Sequence, residues 1–345
     1  MRERKQVGTG RIFESMLDDA ELESSLDFLV SLQLKSGMVP WFPGGRADPW
    51  NHAEAVLALA VGGRMDEAIA GLRWLLDAQN GDGTWCHFYL SNGVAEPRRD
   101  TNTCCYPVLL VSLIDRAVDD RKLMEPYVDM ALRAVNRVVA SQRADGSIPW
   151  ALEPSGEPYP TSLIAASSSI CDSLQIAAKL CERFGINGSQ RYLDAMELLR
   201  KSVRLRRGPY ADTSGWAMDH YYPAIAGIPE SIPLSDQFLD RFYEPDWGVR
   251  CLERNAWFTS AETAEAAMAL HIEGEEALAK EMFLGLGRFR GDNGGYLTGV
   301  VSPTGGSFPL FEQSSYSVAA VVLAGFVLST TAGKSMGTTL LHLFA

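Results

Sequence analysis

Six short segments of the sequence, EAVLAL, YPVLLV, DSLQIA, YPAIAG, EAAMAL and YSVAAVV, align without gaps on their small apolar tails. They open on Glu54, Tyr106, Asp172, Tyr222, Glu265 and Tyr316, an alternation of acid and phenol. Three residues earlier stand Asn51, Thr103, Ser169, Asp219, Glu262 and Gln313, every one polar. Residues three apart share a helix face, about 4.5 Å apart along the axis. Both columns therefore point into one space at two depths. Carboxyls crowded into a dry site hold protons near neutrality, which suits acid–base chemistry. Glu54, Asp219, Glu262 and Glu265 are the candidate catalytic acids, with His220 beside Asp219. Candidate substrate contacts on the same segments are Asp48, Trp50, Asn51, His52, Tyr106 and Asp172. Further along they are Trp216, Tyr221, Tyr222, Trp257, Phe258, Glu312 and Tyr316. The competing account of each polar residue is a helix cap, favoured at N-termini by free N–H groups and the dipole.

The elements that position these residues repeat. SLQLKSGMVPW (31–41), AQNGDGTW (78–85) and SQRADGSIPW (141–150) each close an amphipathic helix at Gln33, Gln79 and Gln142. Gly83 and Gly146 supply backbone freedom where the helix must stop. A second helix then begins, over 48–59, 100–111 and 165–177. Weaker copies start at 215–227, 259–270 and 311–324. Few stretches alternate apolar and polar residues, so no strands are expected. Six helical hairpins with no capping repeats predict an all-α fold, an α/α6 toroid with first helices outside and second helices inside. The expected domain is 21–330, with tails at 1–20 and 331–345. The inner space should be a cup, polar at its mouth and apolar at its floor. The segment 227–246 is either a lid or a connector. Phe326, Leu340, Leu341, Leu343 and Phe344 form an apolar end that either docks on a neighbour or closes the ring.

With 345 residues and 46% apolar content, the chain can bury a large core. A net charge of -12 and a pI near 5.0 argue against nucleic acid and anionic membranes as partners. The start MRERKQVGTGRIF has no apolar run behind its charges, so no signal peptide is expected. Val318–Leu328 is too short to span a bilayer. Six cysteines without a CxxC pair read as reduced thiols of a cytoplasmic protein.

The phrase QNGDGTW (79–85), with its paired helices, resembles the repeat of the terpenoid cyclase and protein prenyltransferase superfamily. The resemblance covers roughly residues 20–330 and implies the same toroid. It implies an isoprenoid or lipid-linked substrate held in the cavity, with an interior acid protonating it. The cyclases' D-x-D-D pattern is matched at Asp48 only; Trp50 stands where the donor belongs and Asn51 replaces the last Asp. Prenyltransferases hold zinc, but Cys171, Asp172 and His220 lack the family's spacing, so no metal is expected there. No nucleotide, flavin or nicotinamide motif appears, so no organic cofactor is expected; Mg enters only if the substrate is a diphosphate. Two further readings remain open. The toroid is also used by carbohydrate-acting hydrolases, lyases and epimerases, for which paired carboxylates and stacking aromatics are apt. It also serves as a binding module without turnover.

Overall fold

The computed structural model describes residues 14–228 and 234–342. Leu343, Phe344 and part of the 227–246 segment lie outside the described residues. The helices follow one another as hairpins. The first joins α1 (Asp19–Leu32) to α2 (Pro49–Val61). The second joins α3 (Met65–Ala78) to a broken helix, α4 (Thr101–Cys105) and α5 (Pro107–Val118). Then come α6 (Arg121–Val139) with α7 (Ile164–Phe184), and α8 (Ser189–Arg204) with α9 (Met218–Ile225). α10 (Leu234–Phe242) pairs with α11 (Ser260–Glu273), and α12 (Glu276–Leu284) with α13 (Ser315–Val327). A last helix, α14, runs Met336–His342.

The inner helices pack in a closed circuit, α2 on α5, α5 on α7, α7 on α9, α9 on α11, α11 on α13 and α13 back on α2. The expected α/α6 toroid is the fold. Composition explains the two layers. In α13 every residue but Tyr316 is buried, and small residues allow close helix approach. By contrast α6 buries one stripe, including Met124, Tyr127, Val128 and Val135, and turns its charges outward. Pro49 and Pro107 begin α2 and α5, where a missing N–H costs nothing.

The repeated glutamine phrase is a clamp between neighbouring outer helices. Gln33 donates to Gly37 O (3.0 Å) and to Glu67 O of α3 (2.9 Å). Gln79 donates to Gly83 O (2.7 Å) and Met130 O of α6 (2.8 Å). Gln142 donates to Gly146 O (3.0 Å) and Ala195 O of α8 (2.9 Å). Gly37, Gly83 and Gly146 all have φ near +90° and press on the backbone of that next helix. Gly294, at φ 82°, does the same against Ser24 of α1 and so closes the ring.

Strands are present, contrary to expectation, but are two to four residues long, too short for alternation to show. β1 (Phe88–Leu90) pairs with β2 (Gly93–Glu96), and β3 (Arg99–Asp100) with β4 (Ala151–Leu152), all antiparallel. β5 (Tyr243–Glu244), β6 (Gly248–Arg250), β7 (Trp257–Thr259), β8 (Gly299–Val301) and β9 (Gly306–Ser307) make an antiparallel meander that packs on α11. Within 227–246 the chain forms α10, whose Leu234, Phe238 and Phe242 are buried at helical spacing, as the outer helix of its hairpin.

α14 packs on α5, α7 and α13, burying Leu340 and Leu341, and closes the far end of the ring. Ser335 Oγ donates to Asp172 Oδ1 (2.8 Å) and Gly337 N to Asp172 Oδ2 (2.9 Å). The ring is therefore a cup with one mouth, at the N-terminal ends of the inner helices.

Candidate active site

At the mouth, Asp48 caps α2. Its Oδ1 accepts from the backbone N–H groups of Trp50 (2.9 Å) and Asn51 (3.0 Å). Its Oδ2 accepts from Trp41 Nε1 (2.7 Å) and Asn51 Nδ2 (2.8 Å). Four donors fix this carboxyl in one orientation. Asp100 occupies the same place on the neighbouring α4, its Oδ1 accepting from Thr103 N (2.9 Å). Burial pushes Asp100 up to about 6, and the charge of Asp48 acts in the same direction. Beside it, burial and then the Arg98 charge push His87 down to about 4.

Two turns deeper lies the floor. Trp50 donates its indole N–H to Glu54 Oε1 (2.8 Å) and stands 5.8 Å from the Tyr106 ring and 5.7 Å from the Tyr222 ring. Tyr222 Oη donates to Glu265 Oε1 (2.9 Å), and Tyr221 Oη to Glu265 Oε2. The Tyr106 hydroxyl lies against Glu54 but reaches no partner at hydrogen-bonding geometry. Burial pushes Glu54 up to about 7 and Glu265 well above the usual carboxylate range, each opposed by its donors. Negative charge on Glu54 disfavours charge on Glu265. The structure thus gathers Glu54, Tyr106, Tyr222 and Glu265, one from each of four inner helices.

Glu262 lies one turn above Glu265 on α11, half-buried and facing the Cys251 thiol. It receives no hydrogen bond from an N–H or O–H group among the described residues. Its charge is felt by Tyr316, which packs edge-on against Trp41 at 5.4 Å. Tyr316 on α13 is thus near both Glu262 and Trp41, the donor to Asp48. Glu312 accepts from Thr298 Oγ1 (3.0 Å) beside it.

Several other expected site residues serve the wall instead. His52 is fully buried, with Nδ1 accepting from Val39 N (3.1 Å) and Nε2 on Gly71 O (3.1 Å). Both ring nitrogens being used, it clips α2 to its neighbours, and burial pushes it down to about 4. His220 bonds Ser214 O (2.8 Å) and lies against Arg241 and Phe242 of α10, away from the acids. Asp219 accepts from Ala165 N (3.2 Å) and from Thr213 Oγ1, joining the ends of α7 and α9. Asp172 is consumed by α14, and Cys171 is buried in the core. Trp216 is exposed at the rim, Trp257 lies on β7, and Phe258 is buried beneath it. Among the described residues no three His, Cys, Asp or Glu are grouped to hold a metal, and no helix is long and apolar enough to cross a membrane.

Sequence reasoning missed several mouth residues. Asp100 is one; its signal was a position before a helix matching that of Asp48. The Arg46 guanidinium lies 4.2 Å from the Trp41 ring and 4.0 Å from the Phe88 ring. Arg98 lies 4.6 Å from Trp150, which packs on Tyr159 at 5.0 Å. Trp41 and Trp150 end two of the repeated phrases. Their position past the turn marked them as rim residues.

No family model matches the chain. A curated relative, the MMP endo-(1,4)-3-O-methyl-alpha-D-mannosidase of Mycolicibacterium hassiacum, is 30% identical over 320 residues, covering 92% of this chain and 88% of the relative. Among solved structures, a D-mannose isomerase aligns with TM-score 0.67 at 11% identity, over 94% of this chain and 96% of its own. A glycosidase in complex with glucose aligns with TM-score 0.62 at 13% identity, over 95% and 97%. Likeness at that identity shows the shared toroid. These findings overturn the kinship with terpenoid cyclases and prenyltransferases, and with it the isoprenoid or lipid-linked substrate. The glutamine–glycine phrase that suggested them builds the toroid wall, and Asp48 with Asn51 forms a helix cap. The resemblance lay in packing and carried no chemistry. With its identity spread over nearly the full length of both chains, this protein belongs to the enzyme family of the Mycolicibacterium hassiacum endomannosidase.

Proposed function

We propose that the protein is an endo-acting glycoside hydrolase that cuts α-1,4 bonds within a mannose glycan bearing 3-O-methyl groups. The observation that carries this reading is the identity to a mannosidase so named, across both chains. The site is consistent with it. Glycoside hydrolysis commonly uses two carboxyls, one protonating the departing oxygen and one supporting attack at the sugar carbon. It needs no cofactor. Among the inner-helix acids, Asp172 and Asp219 are engaged in joining helices, and Glu54 and Glu265 are buried under Trp50, Tyr221 and Tyr222. Glu262, half-buried, remains at the mouth, and Asp48, although 4% exposed and itself a helix cap, lies at the same level on the other helix flanking α13. Glu262 is free to meet a substrate, and Asp48 is held in a fixed pose. We assign the reaction to this pair, with Tyr316 and Trp41 beside them as the sugar platform.

A second assignment rests on Asp100, which burial holds partly protonated near neutrality, as a general acid must be. Amide variants decide. Wild type should release fragments from the interior of a 3-O-methylated α-1,4-mannooligosaccharide. Glu262→Gln should lower kcat by about 10²–10⁴ with a nearly unchanged melting temperature, and Asp48→Asn should lower kcat as much while also losing stability, because its amide would face the Trp41 and Asn51 N–H donors. Asp100→Asn should cost less. A silent Asp48→Asn with an inactive Asp100→Asn would move the acid to Asp100. Full activity in Glu262→Gln would end the assignment, and no cleavage by wild type would end the functional reading.

A further inference from the structure

Between β9 and α13 the chain turns three large apolar side chains outward. Phe308 is 57% exposed, Leu310 76% and Phe311 79%. Single exposed apolar residues are common on any surface, but three within four positions make a patch. No charged residue interrupts Gly305–Phe311.

The display is held in place. Trp257 stands edge-on to Phe308 at 5.7 Å and donates its indole N–H to the Phe308 carbonyl (2.8 Å). Phe311 N donates to Ser307 Oγ (2.8 Å), and Glu312 N to Pro309 O (3.2 Å). Phe311 has φ 53°, a left-handed conformation disfavoured for a bulky residue. Such strain persists where surrounding structure enforces it, often at ligand-contacting sites. A plain connector would accept glycine there.

The patch is continuous with the mouth. Trp257 precedes α11, which carries Glu262. Glu312, the residue after Phe311, bonds Thr298 beside Tyr316. Its chemistry is one-sided. The Trp257 N–H is already spent on Phe308, so the aromatic face offers no side-chain donor to a sugar hydroxyl. It offers ring faces and methyl-sized apolar contacts, which suit C–H and O-methyl groups.

We propose that Trp257, Phe308, Leu310 and Phe311 form a rim subsite that binds the O-methyl face of a sugar remote from the scissile bond and so selects methylated over unmethylated glycan. The proposal rests on the endo-glycosidase reading, since an endo-acting enzyme must hold sugars on both sides of the bond it cuts.

The test is the double variant Leu310→Ser/Phe311→Ser, assayed on α-1,4-mannooligosaccharides with and without 3-O-methyl groups, long and at the shortest cleaved length. Burial of a few methyl-sized groups corresponds to about a tenfold effect. The variant should raise KM about tenfold on the long methylated substrate and leave kcat unchanged. The unmethylated and shortest substrates should be unaffected. Equal KM values, or an equal rise on unmethylated glycan, would overturn the subsite. So would sedimentation showing that wild type is a dimer, the variant a monomer, and catalysis the same. Calorimetric binding of the long methylated oligosaccharide to Glu262→Gln, with and without the double change, separates the two readings. Binding weakened by the change, with no cleavage by wild type, keeps the subsite and removes the hydrolase. Cleavage with undiminished binding does the reverse, and neither binding nor cleavage removes both.

Discussion

A Cβ built on Gly294 would stand 2.2 Å from the Ser24 carbonyl oxygen, and Ser25 Oγ donates to the Gly294 carbonyl at 3.1 Å. The turn after the last outer helix thus lies flat on the first. Gly294→Ala should therefore cost at least about 2 kcal/mol, from left-handed strain plus a backbone clash. Gly146→Ala, whose Cβ would meet Leu198 O at 2.4 Å, should cost about as much. Gly305→Ala, also at positive φ but with nothing within 4 Å, should cost about 1 kcal/mol. Urea midpoints would show the order, and equal losses at all three positions would refute the close-approach account.

His52 should matter for stability and not for turnover. Its ring satisfies Val39 N and Gly71 O in a fully buried site. Removing it strands both groups, so His52→Ala should cost about 2–5 kcal/mol. Activity per folded molecule at low temperature should be retained. A large fall in kcat at unchanged stability would return His52 to the cup.

Acid and alkali should weaken the fold through different residues. His52 titrates at about 4 when folded against an ordinary 6.5. Its contribution is complete above 6.5 and is lost as pH falls toward 4, because the unfolded chain takes the proton first. Glu54 is opposite, at about 7 against 4.5. Its contribution is complete below 4.5 and is lost as pH rises through 7. Glu265, also raised by burial, adds to that slope. Chemical denaturation from pH 4 to pH 9 should show a maximum on the acid side of neutrality. Glu54→Gln should flatten the alkaline limb and leave the acid limb intact; an unchanged alkaline limb would contradict the buried acid pair.

The seat of α14 offers another test. A Cβ at Gly337 would lie 2.7 Å from Asp172 Oδ2, where the Gly337 N–H now donates. Gly337→Ala should loosen α14 and expose Leu340 and Leu341, measured as faster amide exchange over 335–342 and enhanced dye binding. Asp172→Ala should act alike, removing two hydrogen bonds. Unchanged exchange in both would show that Asp172 does not hold the helix.

The sequence made the wall legible because the wall repeats. Three glutamine phrases located the outer turns, and the small apolar tails located all six inner helices. The floor, expected to be apolar, is instead a layer of acids and phenols, and that layer followed in part. Glu54 and Glu265 are each the sixth residue of their helices and Tyr222 the fifth of its own, so they meet at one depth. Asp172 is the ninth residue of α7 and Tyr316 the second of α13, so the same alignment placed them too deep and too shallow for that layer. Apolar tails report which face is buried, not where a helix begins. The chemistry was misjudged for a related reason: Gln79 and Gly83 answer to the backbone of α6, and any toroid of this build needs such a turn. The short strands of the mouth, and the arginines stacked on Trp41 and Trp150, depend on residues brought together from separate hairpins.

Because α14 stoppers the bottom of the ring, a polymer cannot be threaded through it. On the endo-hydrolase reading proposed above, a long chain drapes over the lip, dips one bond toward the acids and rises again. On that reading both severed pieces leave by the doorway they entered.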